Sequence, residues 1–183
     1  MRTRLARPED VAAINRLISE YAEQGLLLPR TPEELRAHLT RFIVLTEPVP
    51  ATDAAPGAAP AERLLGCVAL EPYGADLAEV RSLAVRPDEQ GRGLGGRLLE
   101  AAIRTARRRK TARIFAVTHA PELFARHGFV TSAREAVPEK IDRDCKGCSK
   151  VSHCRLVTLV AVVCPERVTL PVLPAASKVC VTA

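Results

Sequence analysis

Tryptophan is absent and aromatic residues make up only 3% of the chain. The stacking platforms that binders of single-stranded nucleic acid combine with basic grooves are therefore missing. No window approaches the roughly 18 uninterrupted apolar residues that a membrane-spanning helix needs. The first residues, Met1 to Pro8, run into charge without the apolar stretch of a secretion signal. These absences lead to the expectation of a cytoplasmic protein with no membrane and no nucleic-acid partner.

What is present suits one folded domain. The chain has 183 residues, 47% hydrophobic and 26% charged, enough apolar material for a sizeable core. The formal net charge of +6 is local. Between Arg92 and Arg113 eight basic residues face the single acid Glu100, a net of +7, and the rest of the chain sums to −1. Arg104 to Lys110 can be a solvated helix end, where cations complement the helix dipole.

Hydrophobic spacing sets out the elements. Residues 2 to 7 form a short strand. Val11, Ile14, Leu17, Ile18 and Tyr21 then recur at helical spacing up to Gly25. Thr31-Pro32-Glu33-Glu34 opens a second helix, with Thr31 as N-cap, expected to run to about Arg41. Phe42 to Leu45, Leu64 to Leu70 and Ala78 to Val85 make an antiparallel meander, interrupted by an Ala/Pro/Gly-rich hairpin loop over residues 48 to 61. A helix from Leu94 to Arg109, a strand from Arg113 to Thr118, a short helix from Glu122 to His127 and strands at Phe129 to Ala133 and Leu156 to Val163 follow. Residues 134 to 155 are a polar stretch. This order predicts an α+β fold, a mixed, mostly antiparallel sheet flanked by helices. The domain is expected over residues 1–163, with 164–183 as a C-terminal extension or tail.

The most informative segment joins the strand ending at Val85 to the helix starting at Leu94. It holds Gly91, Gly93, Gly95 and Gly96, four glycines in six residues. Glycines let backbone N–H groups approach a ligand, and a helix N-terminus adds partial positive charge, a pairing suited to a pyrophosphate. No Gly-Lys-Ser/Thr closes the loop, so it is not a P-loop, and it lacks the dinucleotide fingerprint.

Gln90-Gly91-Arg92-Gly93-Leu94-Gly95 resembles the Gln/Arg-x-x-Gly-x-Gly/Ala signature of the GNAT superfamily of N-acetyltransferases. The resemblance covers about residues 1 to 163. It implies acetyl-CoA as cosubstrate, its pyrophosphate held by Gln90, Gly91, Arg92, Gly93, Leu94, Gly95 and Gly96, and its pantetheine arm paired with the backbone of Leu83, Ala84 and Val85. Arg92 and Arg97 would add charge for phosphates. His119 to Phe129 resembles the later family motif, a short helix ending in Gly-Phe.

Acetyl transfer needs a neutral amine, hence a proton acceptor. Glu79 stands where histone acetyltransferases of the superfamily carry a general-base Glu; its alternative role is an ion pair with Arg81. Many relatives place a Tyr, as acid for the leaving thiolate, where this chain has Phe124, so the acid stays unassigned, with His119 and His127 available. Gly25 to Leu35 is similar to the Gly-x-Leu/Ile-Leu-Pro-Arg-Ser/Thr-x-Glu-x-Leu stretch of N-acetylglutamate synthases, as are Ala78 to Val85 and Asp144-Cys145-x-x-Cys148. This implies an amino-acid acceptor, L-glutamate first. Arginine suits bidentate carboxylate recognition. Arg30 is the first candidate to bind the substrate and Arg81, on the same strand face as Glu79, the second; Lys150 is weaker. Arg30 could instead pair with Glu33 or Glu34. Another amine acceptor and a non-catalytic acetyl-CoA-binding module remain open alternatives, as does a homodimer.

Six cysteines in a cytoplasmic chain do not suggest a disulfide framework. Cys145, Cys148 and Cys154, with His153, could ligate zinc, but no second Cys-x-x-Cys pair exists, and no metal is expected.

Overall fold

A computed structural model of the chain describes residues 1–49, 62–148 and 154–167. Seven strands form one sheet in the order β1-β2-β3-β4-β5-β7-β6. They are β1 (Arg2–Leu5), β2 (Phe42–Pro48), β3 (Glu62–Pro72), β4 (Leu77–Val85), β5 (Arg113–Thr118), β6 (Val130–Ser132) and β7 (Val157–Val162). Every neighbouring pair is antiparallel except β4 and β5. The helices are α1 (Val11–Glu23), α2 (Pro32–Ala37), α3 (Leu94–Arg108), α4 (Pro121–Ala125) and the short α5 (Pro138–Lys140), which continues into a π-helical turn over Ile141–Cys145.

The sheet is covered on both faces because its strands alternate apolar residues in both directions. Ile43 and Leu45 pack with Leu94, Leu98, Leu99 and Ala102 of α3. Phe42 and Val44 pack with Val11, Ile14, Leu17 and Ile18 of α1 and Leu35 of α2. The helical spacing of Val11, Ile14, Leu17, Ile18 and Tyr21 thus becomes one wall of the core, and α3 becomes the other.

Several boundaries differ from expectation. The second helix stops at Ala37, because His38 leaves the helical region and a 3-10 turn over Leu39–Arg41 leads into β2. The first strand ends at Leu5, and a 3-10 turn at Pro8–Asp10 precedes α1. The polar stretch is partly helical: Arg134–Ala136, α5 and the π turn are each too short to show a period. Most of the hairpin-loop expectation, residues 50 to 61, lies outside the described residues, as do Lys150, His153 and residues 168–183.

Two irregularities shape the centre. In the β3–β4 ladder Cys67 faces Ala84 while Ala69 faces Arg81, so β4 carries one extra residue, a bulge, and Ser82 there has φ of 51°. The parallel β4–β5 ladder is confined to Leu77, Ala78 and Glu79 against Arg113, Ile114 and Phe115. Beyond Glu79 the two strands diverge toward their C-terminal ends. A fork opens there, with Glu79 at its apex and the glycine loop at its wide end.

Candidate active site

At the wide end, Gly91 and Gly93 adopt φ of +76° and +73°, conformations that other residues reach only with strain. A Cβ at either would meet nothing within 4 Å, so the loop presents bare backbone to open space. Gly93 precedes the 15-residue helix α3, whose first N–H groups and dipole point the same way. Gln90, Gly91, Arg92, Gly93, Leu94, Gly95 and Gly96, the residues expected to hold a pyrophosphate, make up this loop and the first turn of α3. Two of its side chains are held by neighbours: Gln90 Nε2 donates to the Tyr21 hydroxyl at 2.6 Å, and Arg92 pairs with the buried Glu89. Leu83, Ala84 and Val85 lie on β4 past the point where β5 departs, and the Val85 carbonyl accepts from Tyr21.

At the apex Glu79 is buried, 3% exposed. Lys140 Nζ lies 3.0 Å from each of its carboxylate oxygens. The Tyr73 hydroxyl is 3.0 Å from Oε2, and Arg81 Nε is 3.6 Å from it. Asp144 shares these partners, with Lys140 at 2.7 Å, the Tyr73 hydroxyl at 2.6 Å and Arg81 at 3.7 Å. Arg143 caps the group: its guanidinium stacks 3.5 Å over the Tyr73 ring and bonds Asp144 at 3.1 Å. Burial and the adjoining Glu79 charge push the Tyr73 phenol well above its ordinary range, so it stays protonated. Burial works against the Asp144 charge, but hydrogen bonds from Lys140 and Tyr73 outweigh it and hold the carboxyl well below the usual carboxylate range.

Lys140, Tyr73 and Asp144 were not among the site residues expected from sequence. One signal existed: Pro138 followed by Lys140 and Asp144 at i,i+4 marks a short helical stretch with one charged face. Of the two readings of Glu79, the ion pair is present, and it is closer with Lys140 than with Arg81.

Arg30 follows α1, its backbone carbonyl fixed by Asn15 Nδ2 at 2.6 Å. Its guanidinium has no carboxylate within 4.0 Å among the described residues, Glu33 and Glu34 included. Burial, then the charge of Arg81, pulls its pKa below the ordinary arginine value. The nearby carboxylates Glu34, Glu71 and Glu79 offset this only in part, and Arg81 keeps its own anions, Glu79 at 3.6 Å and Asp144 at 3.7 Å.

Other expected residues have structural positions. Phe124 is buried and packs edge-on to Phe129, with ring centroids 5.3 Å apart. His127 Nδ1 bonds the Leu123 carbonyl at 2.8 Å, and His119 is exposed beyond β5. Arg97 reaches Met1, away from any described carboxylate. Cys145 and Cys154 are half-buried and Cys148 is exposed. Among the described residues no three His, Cys, Asp or Glu side chains gather as a metal site.

The acetyltransferase (GNAT) domain family matches residues 51–131. An uncharacterized N-acetyltransferase of Chlorobaculum tepidum is 32% identical over 157 residues, 86% of this chain and 93% of that protein. The chain belongs to the GNAT family of N-acetyltransferases. Within the family it is similar to an amino-acid acetyltransferase of Neisseria meningitidis, 35% identical over 152 residues, 82% of this chain and 32% of the relative. Among solved structures it matches N-acetylglutamate synthase from Neisseria gonorrhoeae complexed with coenzyme A and N-acetyl-glutamate. The TM-score is 0.72 at 32% identity, covering 88% of this chain and 35% of that one. The chain therefore spans about a third of the length of these Neisseria proteins. The fold class read from the sequence, a mixed and mostly antiparallel GNAT sheet, is the one observed.

Proposed function

We propose that this GNAT acetyltransferase moves the acetyl group of acetyl-CoA to the α-amino group of an amino acid, L-glutamate first, the opening step of arginine biosynthesis. The observation that carries the reading is Arg30: a half-buried guanidinium with no described carboxylate partner, set against Arg81. A substrate carboxylate would supply the counter-charge that offsets the burial of Arg30 and the repulsion from Arg81, and a dicarboxylic acid brings a second carboxylate for Arg81. The similarity to amino-acid acetyltransferases supports the same class of acceptor.

The glycine loop and the N-terminus of α3 suit the pyrophosphate of acetyl-CoA, and the free side of β4 at Leu83 to Val85 suits its pantetheine amides. Coenzyme A in the Neisseria gonorrhoeae complex supports this assignment. Glu79 takes a proton from the substrate ammonium. The freed lone pair attacks the thioester carbonyl and the N–C bond forms; as the C–S bond breaks the nitrogen sheds its second proton to become the neutral amide, and the thiolate leaves with the electron pair and takes up one proton, so one proton net is released through Glu79. Phe124, in the core, cannot supply that proton. Residues 1–163 carry the reaction, 164–183 extend it, and the enzyme works in the cytoplasm without nucleic acid or membrane.

The test is purified protein with acetyl-CoA and an amino-acid panel, following CoA release and the acetylated product by mass spectrometry. L-Glutamate is expected to give the highest kcat/KM, and Arg30→Ala to raise the KM for glutamate by at least tenfold while leaving that for acetyl-CoA within about twofold. Equal turnover of unrelated amines overturns the acceptor. Tight acetyl-CoA binding with no turnover of any amino acid makes the protein a binding module instead.

A further inference from the structure

Tyr73 stands between two carboxylates. Its hydroxyl oxygen is 3.0 Å from Glu79 Oε2 and 2.6 Å from Asp144 Oδ2. A phenol has one proton, so it can donate to only one of them at a time. With both carboxylates ionised, the other contact is oxygen against oxygen. The group is one proton short of a complete set of hydrogen bonds. When Glu79 gains a proton, its O–H donates to the Tyr73 oxygen, Tyr73 donates to Asp144, and every contact has a donor.

The exposure of the two carboxylates gives this chain a direction. The Glu79 side chain is 4% exposed and that of Asp144 is 25% exposed. Lys140 contacts both, at 3.0 and 2.7 Å, so a proton passing from one to the other leaves the charge around its ammonium unchanged. The remaining charged groups facing the pair are Arg81 on β4, Arg143 beside Asp144, Arg30 after α1, and Glu71 on β3, which is shared by Arg143 and Arg41.

We propose that Tyr73 relays the proton that Glu79 removes from the substrate amine to Asp144, and from there to solvent. The Glu79 O–H bond breaks as the Tyr73 oxygen accepts its proton. The original Tyr73 proton moves to Asp144, then to water, and all three groups return to their starting states. Tyr73 and Asp144 act through Glu79 without touching the substrate, so the inference rests on the reading of Glu79 as the base.

The experiment compares Tyr73→Phe, Asp144→Asn, the double variant and Glu79→Gln, with acetyl-CoA and L-glutamate, in H2O and D2O across pH. Tyr73→Phe keeps the ring against Phe115 and beneath Arg143. It is expected to lower kcat about tenfold or more, with the KM for acetyl-CoA within about twofold, and to enlarge the solvent isotope effect on kcat. Asp144→Asn should do the same, and the double variant should fall no further than the worse single one, because the two act in series. A kcat for Tyr73→Phe within about twofold of wild type, with the wild-type isotope effect and pH profile, overturns the relay. Additive losses in the double variant also overturn it. If Tyr73→Phe does not fold, Asp144→Asn alone carries the same comparison. Loss of activity in Glu79→Gln with unaffected relay variants leaves the base reading standing without the relay. An unchanged rate and profile in Glu79→Gln removes the base reading and the relay with it.

Discussion

The Tyr21 hydroxyl donates a hydrogen bond to the Val85 carbonyl at 2.5 Å, joining the last turns of α1 to the end of β4. The same oxygen accepts from Gln90, so one phenol fixes both the strand end and the first residue of the glycine loop. From sequence Tyr21 is simply the fifth apolar position of a helix. Its ring does pack on that core, while its oxygen sets the entrance to the glycine loop.

Tyr21→Phe should therefore act on the nucleotide side of the reaction. The ring stays, and two neutral hydrogen bonds are lost, each worth ~1 kcal/mol. The Kd for CoA by calorimetry is expected to rise about fivefold to tenfold with the glutamate KM little changed. An unchanged Kd would show that the loop keeps its shape without this anchor.

Gly66 supplies a second test of the centre. A Cβ there would lie 2.6 Å from the Ala84 carbonyl oxygen and 2.9 Å from Leu98 Cδ1. Backbone on one side and α3 on the other leave no room for a methyl group. Gly66→Ala should cost about 1–3 kcal/mol, the range for overpacking, seen as a lower urea midpoint with unchanged slope. Wild-type stability would mean that the strand bulge opens freely.

Asp144 gives stability a dependence on pH. Its folded pKa is depressed, so its contribution is present above the unfolded value of ~3.9 and is lost as pH falls through the folded one. The stability difference between wild type and Asp144→Asn should be constant above about pH 5 and shrink below about pH 4. Urea unfolding between about pH 2.5 and about pH 7 checks it. A difference that grows in acid would contradict the assignment.

How far the sequence carried depends on the kind of signal each part leaves. α1, α3 and β5 emerged within a residue or two, because long periodic apolar runs state both element and face. The glycine loop was legible because backbone conformation itself demands that residue type at Gly91 and Gly93. The cluster around Glu79 was not. Tyr73 comes from the turn just after β3, Lys140 from α5, 61 residues beyond Glu79, and Asp144 from the π turn, 71 residues beyond Tyr73, elements too short to show a period. Their meeting is set by the β4–β5 pairing and by the placement of α5, which are tertiary relationships. Arg30 was singled out by its motif, but its lack of an anion partner appeared only in three dimensions.

Lys140 carries the most demanding balance in the molecule. It is 9% exposed and lies within 3.0 Å of Glu79 and 2.7 Å of Asp144. Replacing it by Met keeps the length of the side chain and removes the charge. Two neighbouring carboxylates then lose their common cation, with Arg81 no nearer than 3.6 Å. Breaking one side of a buried ion pair costs about 3–5 kcal/mol, and Asp144, partly exposed and still held by Arg143, places the expected loss near ~3 kcal/mol. The cost is chiefly that of the carboxylate left behind, so removing the Glu79 charge as well should give part of it back. The double variant Lys140→Met, Glu79→Gln is expected to be more stable than Lys140→Met alone by about 1 kcal/mol or more, measured by urea unfolding at neutral pH. Strict additivity of the two losses would mean that Lys140 serves Asp144 and not Glu79.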